Sequence, residues 1–168
     1  MRTNNLTIRR ASPGDAEAIW NIFHQVVEAG DAYVYAPTME RERALKIWMA
    51  EEVQTYVALK AGEVAGTYIL KENQPDLGSH ICNAAFMVGS QYRGQGIGRA
   101  MGEHAFKEAG EAGFLGMQFN LVVSTNEAAV ALWLKLGFEI VGMLPRAFRH
   151  RTLGLVDAYV MFKWLAES

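Results

Sequence analysis

Arg93-Gly94-Gln95-Gly96-Ile97-Gly98 is a glycine-rich turn that runs directly into a helical pattern. Before it stands an apolar run, Ala84-Ala85-Phe86-Met87-Val88, with the composition of a buried strand. After it, apolar or small residues at Ile97, Ala100, Met101 and Ala105 repeat at the spacing of one helix face. Strand, glycine turn and helix start together aim unpaired backbone N–H groups and the positive end of a helix at whatever lies in front. That arrangement suits an anion, usually phosphate, although the local pattern also fits a tight strand-to-helix connection with a surface arginine. Glycine suits it because a Cβ would hold the ligand's oxygens away and because tight turns can require positive φ. Arg93 adds a fixed cation able to grip a phosphate through two N–H bonds.

Two phosphate motifs do not fit. The P-loop needs Gly-Lys followed by Ser or Thr, whereas Gly98 is followed by Arg99 and Ala100. The dinucleotide fingerprint needs a third glycine three positions after the second, and Arg99 or Met101 stands there, depending on where counting starts.

The pattern Arg93-x-x-Gly96-x-Gly98, after a strand ending in Val88, resembles the acetyl-CoA signature of the GNAT N-acetyltransferases. Asn126-x-x-Ala129-x-x-Leu132-Trp133-x-Lys135-x-Gly137-Phe138 is similar to that family's later Asn…Leu-Tyr-x-Lys-x-Gly-Phe block, in the family's order and separation. The resemblance extends from Leu6 to about Leu165. It implies an α/β (α+β) fold: a mixed, mostly antiparallel sheet of six to seven strands flanked by about four helices. It also implies acetyl-CoA as cosubstrate and no metal. The backbone of Met87 and Val88 would hold the pantetheine arm, with Phe86, Asn126, Ala129 and Trp133 as further cofactor contacts. Arg93, Gly94, Gln95, Gly96, Ile97, Gly98 and Arg99 would hold the pyrophosphate.

Two positions depart from the family pattern. Trp133 replaces the tyrosine that protonates the departing thiolate; an indole N–H is no realistic acid. Its place on the Ala129/Leu132/Leu136 face also fits a core residue. A thiol of pKa near 8.5 leaves readily without help. Asn83 stands where many relatives carry a glutamate base, and no carboxylate lies between Asp76 and Glu103. The base is then a water chain or a residue from elsewhere, such as Asp31 or Glu28.

Asn83, Asn120 and Asn126 resemble the asparagines of yeast N-acetyltransferases that modify proline analogues such as azetidine-2-carboxylate. That resemblance implies that Asn83 binds the acceptor's carboxylate or amine and that Asn120 with Leu121 supplies oxyanion donors. Asn126 would touch the pantetheine region; each of the three also fits a structural role, Asn126 at a helix N-terminus. The acceptor pocket is expected from Ala29 to Tyr35, with Asp31, Tyr33 and Tyr35, and from Pro145 to Arg151, a loop in which Arg146 and Arg149 could clamp a carboxylate. A solvated basic loop is the alternative.

These residues must be positioned by a regular scaffold. Leu6–Arg10 alternates as a strand. Ser12-Pro13-Gly14-Asp15 caps a helix with apolar residues at Ala16, Ile19, Trp20, Phe23, Val26 and Val27, stopped by Gly30. Thr38 caps a second helix bearing Ala44, Ile47 and Trp48. Strands at 55–60 and 64–71 flank the hairpin turn Ala61-Gly62-Glu63. The turn 74–78 leads to the strand ending at Val88. Met117–Val123 is the next strand, Ser124-x-x-Glu127 the capping box of the following helix, and strands at 138–142 and 156–163 close the sheet.

A chain of 168 residues builds one domain, read as 1–168. The net charge of −2 lacks the basic field of nonspecific nucleic-acid binding. One cysteine, Cys82, makes no internal disulfide, and no Cys or His spacing suggests a metal. The first five residues lack a signal peptide's apolar core and no run approaches a membrane helix, so a cytoplasmic enzyme, monomer or homodimer, is expected. The leading activity is acetylation of a small-molecule amine, an amino acid or toxic analogue. The alternatives are a noncatalytic acyl-CoA sensor and acetylation of a protein amine.

Overall fold

The computed structural model describes residues 5–166. Residues 1–4, part of the segment read as lacking a signal peptide's apolar core, lie outside them. Seven strands, β1 (Leu6–Arg10), β2 (Gln54–Lys60), β3 (Glu63–Glu72), β4 (Ile81–Val88), β5 (Gly116–Val123), β6 (Glu139–His150) and β7 (Gly154–Trp164), form one sheet. Their order is β1-β2-β3-β4-β5-β7-β6. Four α-helices accompany them: α1 (Ala16–Ala29), α2 (Arg41–Trp48), α3 (Ile97–Glu111) and α4 (Glu127–Lys135). Every neighbouring pair is antiparallel except β4 and β5. The expected mixed, mostly antiparallel sheet with about four helices is therefore present.

Strand alternation divides the core between the two faces of the sheet. Cys82 and Ala84 of β4 pack with Met101, Ala105 and Trp133, beneath α3 and α4. Ala85 and Met87 turn the other way, onto Ile19, Phe23, Val26 and Trp48 of α1 and α2. Thr67 pins α2 to the sheet: buried Trp48 Nε1 donates to its Oγ1 at 3.0 Å, and the hydroxyl donates to Tyr56 O at 2.7 Å. Buried polar groups here satisfy one another, so they cost little.

Three local readings are corrected. The second helix begins at Arg41 with Glu40 as N-cap, because Ala36–Met39 closes a turn of its own through Met39 N–H to Ala36 O at 2.9 Å. The cap of α4 is Asn126, not Ser124; its Oδ1 accepts from Ala129 N–H at 3.3 Å, a role asparagine fills as well as serine. Residues 145–150, expected as loop, continue β6. Pro145 is tolerated because β6 is an edge strand whose pairing breaks between Leu144 and Phe148.

The feature that creates a site is the parallel pair. β4 and β5 are joined only at Ile81–Gly116, Cys82–Met117 and Asn83–Gln118. Beyond that rung both strands continue, to Val88 and Val123, without pairing with each other. A cleft thus opens toward the start of α3.

Candidate active site

At the open end of the cleft, Gly94 and Gly96 adopt φ of +73° and +79°. A Cβ built on either would meet no protein atom within 4 Å, so both face open space in front of the α3 N-terminus. Glycine permits this backbone, and the turn leads straight into the N-terminus of α3, where a helix can bind an anion. Gly98 serves packing instead, since its Cβ would touch Leu132 Cδ2 at 3.4 Å. Ile97 is buried beneath the turn. Arg93 is exposed, and Arg99 pairs with Glu103 at 2.9 Å on the surface of α3. Arg99 also lines a groove between α3 and α4 with Leu132 and Lys135. The loop is held from behind by the β2–β3 hairpin. Tyr92 Oη donates to Glu63 at 2.9 Å, and the Lys60 ammonium donates to Gln95 Oε1. Lys60, Glu63 and Tyr92 were missed by the sequence reading, since hairpin and loop are about thirty residues apart.

The β4 wall of the cleft presents alternate residues. Asn73 N–H donates to Ile81 O and Gly89 N–H to Ala65 O, so the odd-numbered residues of β4 bond to β3. Ala84, Phe86 and Val88 therefore turn amide and carbonyl toward β5 and the cleft. Met87 faces β3 with its backbone, and its side chain is buried against α1 and α2. Of the two residues expected to hold a pantetheine arm by their backbone, Val88 turns its groups to the cleft and Met87 does not; Phe86, expected at the cofactor, turns the same way as Val88.

Trp133 is buried among aromatic rings, with centroids 4.7 Å from Phe86, 4.7 Å from Phe119 and 5.7 Å from Phe138. The packing role expected from its helix face is the one the geometry displays. Ala129 adjoins the same cluster.

Asn83 Nδ2 donates to Gln118 O at 3.0 Å. Asn120 and Leu121 lie where the β5–β7 register shifts, as a bulge. Asn120 Nδ2 donates to Asn73 Oδ1 at 2.8 Å, while its Oδ1 accepts from Gln118 Nε2 at 2.9 Å. Asn73 and Gln118 thus join Asn120 in one chain of side-chain amides, while Asn83 meets the backbone carbonyl of Gln118 and Asn126 caps α4. The period-two rule already puts Gln118 on the face of Asn120; Asn73 needs the β3–β4–β5 register.

The two expected acceptor segments meet. Arg151 N–H donates to Gly30 O at 3.0 Å, and Arg151 Nη1 donates to Glu28 O at 3.2 Å. Tyr33 reaches the cleft itself, donating to Phe86 O at 2.5 Å and accepting from Phe86 N–H at 3.0 Å. Its ring stacks with Tyr35 at 6.4 Å, and Asp31 is half-buried two residues before it. Arg146 and Arg149 are exposed on β6. Arg146 holds a φ of +55° while its N–H donates to Asp157 at 2.9 Å. Cys82 is fully buried, and that burial pushes its thiol up to about 12, which removes it as a nucleophile.

Residues 18–138 match the acetyltransferase (GNAT) family. The N-acetyltransferase aca1 of Schizosaccharomyces pombe is 38% identical over 96 residues, 56% of this chain and 46% of that protein, so the match spans under half of that relative. A GCN5-related N-acetyltransferase from Kribbella flavida superposes with a TM-score of 0.91 at 40% identity, covering 95% of this chain and 97% of its own. YncA from Salmonella typhimurium, solved with its cofactor acetyl-CoA, shares the fold with a TM-score of 0.85 at 24% identity, over 98% and 96% of the two chains.

Proposed function

Because the chain belongs to the acetyltransferase (GNAT) family, we propose that it transfers the acetyl group of acetyl-CoA to a small-molecule amine, an amino acid or a toxic analogue, in a ternary complex. The observation that carries this reading is the cleft: β4 backbone that β5 leaves unpaired leads from the Asn83–Gln118 rung to the Gly94/Gly96 turn. The α1–α2 loop, tied down by Tyr33 and by Arg151, covers its acceptor side. Such a covered site suits a small amine better than an extended peptide.

The Gly94/Gly96 turn, with Arg93 and Arg99, binds the pyrophosphate, and Phe86 and Val88 present backbone groups to the pantetheine arm. Asn83 orients the acceptor at the closed end of the cleft, beside the amide chain through Gln118, Asn120 and Asn73. Placement of amine against thioester supplies much of the acceleration, up to about 7–11 kcal/mol in favourable intramolecular models. With Cys82 buried, transfer is direct, and the amine's proton leaves through water near Asp31.

We attach to this reading one acetyltransferase domain over residues 1–168, acting in the cytoplasm. Among the described residues, no helix is long and apolar enough to cross a membrane. A homodimer is proposed through β6: Ile140, Val141, Met143 and Leu144 are exposed on the open edge, an uncharged stretch that a second copy can pair antiparallel. Light scattering of Val141→Lys decides it, since an unchanged dimer or a wild-type monomer refutes that interface.

The activity test is thiol release. Incubated with acetyl-CoA and a panel of amino acids, simple amines and peptides, the protein should liberate CoA fastest with a small amine. A preference for peptides points to a protein acceptor, and binding without release to a sensor.

A further inference from the structure

Tyr33 comes from the loop between α1 and α2, yet its hydroxyl lies against the β4 backbone inside the cleft. It donates to Phe86 O and accepts from Phe86 N–H, at 2.5 Å and 3.0 Å. These are backbone groups that face β5 and that β5 does not pair, because the strands part after Asn83–Gln118. A ligand anchored by phosphates at Gly94–Gly98 and extended along β4 carries its far end toward that closing rung. Phe86 lies between the two, three residues from Asn83. The acyl end of acetyl-CoA therefore comes to the place the Tyr33 hydroxyl occupies.

We propose that Tyr33 is a catalytic hydrogen-bond donor for acetyl transfer. With acetyl-CoA bound, the thioester carbonyl oxygen replaces the hydroxyl as acceptor of the Phe86 N–H. The Tyr33 hydroxyl turns off the Phe86 carbonyl and donates to that same oxygen. Two donors that are engaged within the Tyr33–Phe86 contact in the free protein thus become a pair aimed at one oxygen.

The step balances without a proton from Tyr33. The amine lone pair forms the C–N bond while the C=O π pair moves onto oxygen, where the two donors hold the charge. Collapse restores the C=O bond and breaks C–S, so the thiolate leaves with its electron pair. The ammonium proton passes to water, and a proton from solvent neutralises the thiolate. Burial pushes the Tyr33 hydroxyl above its ordinary pKa, so it remains a donor throughout the working range. Trp133, enclosed by Phe86, Phe119 and Phe138, leaves the thioester without the family's usual tyrosine on α4. A phenol from the opposite side of the sheet provides a donor there.

The inference rests on acetyl transfer but not on which amine accepts. Tyr33→Phe keeps the ring and its stacking on Tyr35 while removing the hydroxyl. With [1-13C]acetyl-CoA, the infrared carbonyl band should lie at lower frequency in the wild-type complex than in water. Tyr33→Phe should return it most of the way. At saturating acetyl-CoA, kcat should fall about 100-fold with calorimetric acetyl-CoA affinity retained. Acceptor-free thiol release should fall by the same factor. A band unshifted in the wild type, or shifted equally in both proteins, overturns the proposal. So does a loss confined to the acceptor's KM, which would make Tyr33 an acceptor-binding residue. Should no small amine accelerate release, the acceptor reading fails while the band still decides Tyr33.

Discussion

Asn83 Nδ2 donates to the carbonyl of Gln118 at 3.0 Å, on the last rung that joins β4 to β5. The bond closes the cleft at its inner end, so Asn83 has a structural duty besides any contact with an acceptor. The remainder of its amide decides whether it also binds substrate.

Asn83→Ala and Asn83→Asp should therefore separate the two duties. Alanine removes one part-buried hydrogen bond and should cost about 1 kcal/mol of stability. Aspartate is nearly isosteric but sets an acceptor-only carboxylate against the Gln118 carbonyl, and should cost more at pH 7 than alanine does. Thermal unfolding gives this order. For function, aspartate repels an acceptor carboxylate, so the kcat/KM ratio of an α-amino acid to its decarboxylated amine should drop. An unchanged ratio removes Asn83 from the acceptor site.

Acid stability should depend on Asp15. The capping carboxylate accepts from Arg9 Nη1 at 2.8 Å and from Ser12 N–H at 2.7 Å. The Arg9 hydrogen bonds, then those from Ser12, outweigh desolvation and hold its pKa down to about 2. A folded value below the unfolded one near 3.9 means the stabilisation is complete above pH 4 to 5. It is lost as pH falls toward 2. Over that window the melting temperature of wild type should fall more steeply than that of Asp15→Asn. Parallel curves would show that the Arg9–Asp15 pair is energetically silent.

Trp133→Phe should retain most turnover, since the ring acts by packing against Phe86, Phe119 and Phe138. Trp133→Ala opens a cavity under the cleft and should cost about 3–5 kcal/mol. Single-turnover kinetics check the first claim. A collapse of the chemical step in Trp133→Phe, with acetyl-CoA binding intact, would assign the indole N–H a part in the reaction.

What the sequence displays depends on how local each feature is. The positive φ of Gly94 and Gly96 is readable because a strand, a turn and a helix adjoin within fifteen residues. Trp133 is readable from its helix face. By contrast, Tyr33 and Phe86 are 53 residues apart, and Asn120 and Asn73 are 47 apart. Those meetings follow from where β4 leaves β5 and from the register of three strands, which no spacing encodes. The continuation of β6 through Pro145 is not legible either: proline is rare within strands and is tolerated here at an edge with an irregular rung.

Gly96 and Gly113 test whether the turn binds through backbone shape. Both adopt positive φ, +79° and +90°, and at both a Cβ meets no protein atom within 4 Å. Alanine at either position should thus cost a similar amount of stability, about 1–2 kcal/mol, from the left-handed backbone alone. Only Gly96 stands at the α3 N-terminus; Gly113 follows the other end of that helix, away from the cleft. At Gly96 the added methyl enters the space where a pyrophosphate oxygen approaches the N–H groups, so acetyl-CoA affinity should fall at least tenfold. Gly113→Ala, equally strained, should bind acetyl-CoA like wild type. Calorimetry on both folded variants makes the comparison. Equal affinities in Gly96→Ala and Gly113→Ala would mean that the turn does not hold the phosphates, and the cosubstrate would have to be placed elsewhere on the chain.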